Sequence, residues 1–154
     1  MKILKVVGGV VAVFAVLYVF IAPIGPAPGF FIGGNATAAP SQWPDTSGVH
    51  EITLKVPGGL PRVVIIWVIE YDNNLYVVGS KGSGWVDRIG AGSPVEMRLE
   101  DNTYSLTATT VSTGWEPIMQ AYVEKYQPDY PEIVAGFPAI EDAAGSIGVF
   151  RLDR

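Results

Sequence analysis

Apolar and polar positions divide the chain into a series of short strands. Val63-Val64-Ile65-Ile66-Trp67-Val68-Ile69 is an unbroken, mostly β-branched apolar run, the pattern of a strand buried on both faces. It is expected to be the central strand, with Trp67 in the core. Asp72-Asn73-Asn74 supplies residues that tolerate positive φ, and Leu75-Tyr76-Val77-Val78 returns as an antiparallel partner, so a hairpin is predicted. His50 to Val56 alternates polar and apolar residues, with His50 at the strand start, and Pro57-Gly58-Gly59 turns it. Val95 to Leu99 and Thr103 to Val111 alternate around an Asp101-Asn102 turn, and Ile147 to Leu152 reads as a closing strand. Trp85 to Ala91 predicts a short helix ended by Gly92-Ser93-Pro94. A longer helix is predicted over Trp115 to Tyr126, with Ile118, Met119, Tyr122 and Tyr126 at helical spacing and Thr113 as its cap. About six antiparallel strands with one or two helices, and no crossover helix before the end, predict a mainly β chain and a small barrel.

The amino terminus changes this picture by adding an element outside the barrel. Lys2 and Lys5 precede Val6 to Ala22, an uncharged stretch of 17 residues that stops at Pro23. A helix of roughly 17–25 apolar residues spans a bilayer, so residues 1–22 are expected to form a transmembrane anchor. A secretory signal with a small-residue site at Ala36-Thr37-Ala38 is the competing reading. Two lysines place the amino terminus in the cytoplasm and the domain outside it. Residues 23–50, with Pro23, Pro26, Pro28, Pro40 and Pro44, are expected to be a proline- and glycine-rich linker, and residues 51–154 the folded domain.

Composition narrows the chemistry. The chain has 154 residues, enough for one domain with a real core. It contains no cysteine, which excludes disulfides, thiolate metal sites and cysteine nucleophiles, and its one histidine excludes a multi-histidine metal centre. Beyond residue 22, eight basic residues face fifteen acidic ones, a net charge of −7. Nucleic acid is therefore not an expected partner, since phosphate neutralisation needs a basic face. Gly79-Ser80-Lys81-Gly82-Ser83-Gly84-Trp85 is the chemically suggestive stretch. Glycines, hydroxyls and a lysine between a strand and a helix start are what an anion-binding loop requires. Glu70 and Asp72 read as solvent-facing turn residues.

The order of these segments carries a resemblance. Gly59-Leu60-Pro61-Arg62, the apolar strand, the acidic turn, Leu75-Tyr76-Val77-Val78, Gly79-Ser80-Lys81-Gly82, Trp85, then Ala91 with Pro94-Val95, resembles the deazaflavin-dependent nitroreductases. That family belongs with the pyridoxamine-phosphate oxidases and flavin-reductase-like proteins, and the resemblance covers about residues 51 to 153. It implies a split antiparallel β-barrel. It also implies a cofactor site at Arg62, Ser80, Lys81, Gly82, Ser83 and Trp85, and a substrate side formed by Ser80, Tyr126 and Tyr130. The implied cofactor is the deazaflavin coenzyme F-420 or flavin mononucleotide (FMN), with hydride transfer to a quinone, a nitro compound or another lipophilic acceptor, and no metal. The expected protein is thus a membrane-anchored reductase in contact with the lipid bilayer, with a homodimer or a larger membrane complex as the assemblies left open. The alternative is a split barrel without cofactor, serving as accessory subunit of a larger membrane complex; a carrier of a lipophilic ligand would use the same pocket without redox chemistry.

Overall fold

The computed structural model describes residues 2–21, 29–60 and 62–154. Pro23, Pro26, Pro28 and Pro61 of the sequence reading lie outside the described residues. The elements run α1 (Lys2–Ile21), β1 (Asn35–Ala36), β2 (Glu51–Val56), β3 (Arg62–Trp67), β4 (Ile69–Tyr71) and β5 (Asn74–Ser80). They continue as α2 (Gly84–Ile89), β6 (Gly92–Leu99), β7 (Asn102–Thr110), α3 (Glu116–Tyr126), α4 (Pro131–Val134), α5 (Ile140–Ala143) and β8 (Ile147–Asp153). Seven strands form one curled sheet in the order β3-β2-β6-β7-β8-β5-β4, all neighbours antiparallel, and β1 adds a short parallel pairing to β7. The chain is mainly β, with a half-barrel sheet and short helices around it.

The apolar run 63–69 does not form the central strand. It breaks at Val68 into β3 and β4, which are opposite ends of the sheet order. One residue therefore joins the two edges, and the sheet must curl to let it. Val68 is fully buried, and its backbone groups are held by side chains instead of a ladder: its N–H donates to Tyr126 Oη at 2.9 Å, and its carbonyl accepts from Lys125 Nζ at 3.0 Å. On β3 the burial is mixed, with Val63 buried and Ile65 41% exposed. That is the pattern of an edge strand.

Alternating side chains build two cores. Leu75 and Val77 of β5 point into the barrel with Leu54, Met97, Leu106, Phe150 and the α2 residues Trp85, Val86 and Ile89. Tyr76 faces the other side, with Ile69 and Val149, beneath Ile118, Met119, Tyr122 and Tyr126 of α3. The predicted hairpin forms with Asp72 and Asn73 both at positive φ (48° and 58°), as a two-residue turn between right-twisted strands requires. Gly92-Ser93-Pro94 belongs to β6 and does not break it. The β2 ladder reaches only Glu96–Arg98, so Pro94 sits where one side of β6 has no β2 partner.

Two elements of the amino-terminal reading change. Within the segment read as a linker, Ile32 and Trp43 are buried at 7% and 4% exposure, and Gly29 pairs with Val63. The expected single-pass anchor and the membrane location drawn from it are corrected: among the described residues, no helix is long and apolar enough to cross a membrane. A helix does form at Lys2–Ile21, but it opens on two lysines.

Candidate functional site

The glycine-rich loop leaves the end of β5 and turns directly into α2. Gly79 has no room for a side chain, because Trp85 and Val86 of α2 pack against it. Ser83 N–H donates to Ser80 O at 3.1 Å, and Gly82 takes φ +89°. The turn is thereby closed, and α2 starts on Ser83 with no side-chain cap. Arg62, the first residue of β3, lies over the same helix start: a Cβ on Gly84 would come within 2.9 Å of its Nη1. Arg62 Nε and Ser83 Oγ are both buried and both without a hydrogen-bond partner. A buried polar atom left unpaired costs about 1–3 kcal/mol. Two of them on residues flanking Gly84 give this corner an unmet demand for an acceptor.

The loop lysine is engaged elsewhere. Lys81 Nζ donates to the carbonyl of Ala144 at 2.6 Å, just past α5, and Lys81 N–H donates to Ser146 O at 2.8 Å. Ser80 Oγ meets only the carbonyl of Lys81, at 3.3 Å. Trp85 is 7% exposed and supports the loop from inside the barrel. Ser80 also lines a cavity of about 270 Å³ between β5, the start of β8 and α3, walled by Met119, Tyr122, Phe137 and Ile147. Its surface is mostly apolar, with hydroxyls from Ser80 and Ser146 on the rim.

On the same side of the sheet, α3 presents a group of aromatic rings. Tyr126 is fully buried and lies flat on Trp67. Its hydroxyl accepts from Val68 N–H and donates to the carbonyl of either His50 (2.6 Å) or Val68 (2.7 Å). Burial pushes the Tyr126 and Tyr122 hydroxyls well above the ordinary tyrosine range. Tyr126 thus holds the fold at the strand break, and every polar valence of its hydroxyl points to backbone. Tyr130 differs, since its hydroxyl meets His50 Nδ1 at 3.3 Å and its ring is half-buried beside Trp67, centroids 4.9 Å apart. His50 Nε2 lies 3.4 Å from Asp129 Oδ2.

The sequence-expected residues therefore fall into two places. Gly82 and Ser83 lead into α2, with the Arg62 guanidinium against its first residue, Gly84, Trp85 beneath and Ser80 lining the apolar cavity. Tyr126 and Tyr130 lie in the aromatic group at the far end of β3, and Lys81 turns toward α5. His50 and Asp129 were not expected to join any site. Eighty residues separate His50 from Tyr130, so no local spacing pointed to their contact; a lone histidine and a polar turn after a tyrosine-rich helix was the whole signal.

The sequence matches no described protein family and no curated protein sequence. Solved structures do resemble it. A NimC/NimA family protein from Clostridium acetobutylicum shares 16% identity over 67% of this chain and 73% of its own, with a TM-score of 0.46. HutZ, the heme storage protein from Vibrio cholerae, shares 16% over 68% and 80%, with a TM-score of 0.48. The FAD and heme binding protein from Mycobacterium smegmatis shares 13% over 70% of this chain and 62% of its own, with a TM-score of 0.50. The last likeness is one of fold. With the curled sheet described above, it supports a split-barrel fold and singles out no subfamily of it.

Proposed function

We propose that this split barrel binds a flavin-type cofactor, FMN or a deazaflavin, and reduces a lipophilic acceptor such as a quinone or a nitro compound. One observation carries the reading: Arg62 Nε and Ser83 Oγ are buried and unpartnered, and the Arg62 guanidinium lies against Gly84, the residue after Ser83. A phosphate oxygen satisfies such donors, and a guanidinium binds it with charge-assisted hydrogen bonds. The residues present thus fit a cofactor phosphate. Arg62 and Ser83 would hold it, with Gly84 leaving room for the guanidinium beside the backbone. When bound, the reduced cofactor supplies the hydride. The chain's own part is to hold and orient: the apolar cavity beside Ser80 suits a flat acceptor, and the Ser80 hydroxyl on its rim can meet an acceptor oxygen. The FAD and heme binding protein of the same fold lends this reading support by analogy. His50, the sole histidine, already spends both ring nitrogens on Asp129 and Tyr130, which favours a flavin over a histidine-ligated heme.

The test is an absorbance and fluorescence titration with FMN and with coenzyme F-420. Saturable binding is expected for one of them, weakened about 10- to 100-fold by Arg62→Ala, the span of a lost charge-assisted hydrogen bond of ~1.5–3 kcal/mol. Absence of saturable binding for both would overturn the reading.

A further inference from the structure

A second cavity lies behind Ile147, the residue it shares with the apolar cavity beside Ser80. It holds about 230 Å³ between the end of β7, the start of β8 and the residue before α3. Val111, Trp115, Ile147 and Val149 give it apolar walls, and Val111 N–H donates to Val149 O at 2.9 Å between two of them. Lys81 is exposed and lines the same cavity, which puts its charge at the mouth. The lysine is pinned at both ends: its N–H donates to Ser146 O, and its Nζ to the carbonyl of Ala144, another lining residue. An ammonium has three donors, and Ala144 takes one. Among the described residues the ion pairs are His50–Asp129, Lys55–Glu96 and Arg151–Asp153, so Lys81 has no carboxylate partner. That sets this cavity apart in an acidic chain. Lys55 lines two other cavities opposite Glu96, and Lys125 lines one with Asp45, Glu70 and Asp72. The cavity beside Ser80 has no charged residue on its walls. Here a lysine stands with no acidic residue on the walls.

We propose that this cavity binds a small monocarboxylate with a compact apolar body, the carboxylate on Lys81 and the body against Val111, Trp115 and Val149. Charge and volume together select the class. One cation at the mouth matches one negative charge, and an ammonium binds a carboxylate through charge-assisted hydrogen bonds. The charged head stays at the water-facing rim, so it escapes the full cost of burial. A free phosphate would leave the apolar walls wet, whereas an apolar body removes them from water. The volume lies under the ~300 Å³ at which pockets for drug-sized ligands begin. One ring or a short branched chain fits, and a flavin does not. Ser112 adds an exposed hydroxyl that can donate to the second carboxylate oxygen. The Thr110 hydroxyl, on the same wall, is already spent on Gly90 O at 2.7 Å. Arg62, Ser83 and Gly84 line no part of this cavity, so the site is separate from the cofactor corner and does not depend on the reductase reading.

The chain has four tryptophans, so nitrogen-15-edited NMR of the full-length protein gives few indole N–H signals, and Trp115→Phe identifies the one at this cavity. Titrated with benzoate, that signal should move and saturate. Benzamide, of the same shape but neutral, should bind about tenfold more weakly, as should benzoate to Lys81→Met, the loss expected for a charge-assisted hydrogen bond. Lys81→Arg should keep most of the affinity. Ser112→Phe fills the cavity from an exposed position and should abolish binding with Lys81 still in place. Both substituted side chains are exposed, and an unchanged Tm shows that the fold is intact. Arg62→Ala should bind benzoate as the wild type does. No saturable shift, equal affinity for benzamide, or full affinity in Lys81→Met would each overturn the proposal. Loss of benzoate binding in Arg62→Ala would assign the anion to the Gly84 corner and overturn it as well.

Discussion

Tyr126 lies flat on Trp67, the ring centroids 4.1 Å apart and the planes 8° from parallel. The stack sits where β3 ends, and it brings the Tyr126 hydroxyl to the one residue, Val68, at which the chain crosses from one edge of the sheet to the other. Tyr126→Phe keeps the stack and removes the hydroxyl. The buried N–H of Val68 then loses its acceptor. A loss of about 1–3 kcal/mol in unfolding free energy is expected from urea denaturation, with cofactor affinity unchanged.

Lys125 supports the same break. Its ammonium donates to the carbonyls of Thr46 (3.0 Å), Val49 (2.7 Å) and Val68 (3.0 Å). Burial holds it below the ordinary lysine value, outweighing the opposing pull of Glu70 and Asp45. In the window between that lowered value and the unfolded-chain value of ~10.4, the unfolded chain binds more protons, so this group makes stability rise with pH. Lys125→Met should cost about 1–3 kcal/mol at neutral pH by depriving the carbonyls of a donor. It should also remove the rise toward alkaline pH, as read from urea midpoints of both proteins at stepped pH.

The two glycines flanking the loop should respond differently to alanine. At Gly79 a Cβ would overlap the Trp85 ring and come within 2.7 Å of Val86 Cγ2. Trp85 is packed in the barrel core and cannot retreat, so Gly79→Ala should destabilise by at least the ~1–3 kcal/mol typical of overpacking. A thermal melt should show it as a clear fall in Tm.

At Gly84 the atom met is the end of a flexible side chain, Arg62 Nη1. Gly84→Ala should therefore fold with little change in Tm while pushing the guanidinium aside. The expected result is weaker cofactor binding, of the order seen for Arg62→Ala, in the same titration. A Gly84→Ala protein with wild-type affinity would show that Arg62 does not hold the phosphate.

Local chemistry was the legible part of this chain. The Asp72-Asn73 turn announces itself because few residue types accept positive φ, and β2, β6, β7 and β8 follow from alternation. The run 63–69 was misplaced because periodicity reports burial, not position in a sheet. What decides its course is the hydroxyl of Tyr126, 58 residues away, which satisfies a backbone break that no local pattern encodes. The site was half legible for the same reason. The loop's residue types point to an anion, yet Lys81 finds a carbonyl 63 residues later, and the unpaired donors are Arg62 and Ser83. The meeting of His50 with Tyr130 is likewise a product of tertiary structure.

The place of β8 has a consequence for how the sheet is assembled. Ile147–Asp153 is inserted between β5 and β7, pairing with both. Before it arrives, β5 and β7 each present an unsatisfied row of peptide groups beside apolar side chains, the form most prone to self-association. On a ribosome, nearly the whole domain would emerge and wait in this state. A chain stopped before Ile147 should collect in aggregates, and the native chain should depend on chaperone protection until its last strand is released.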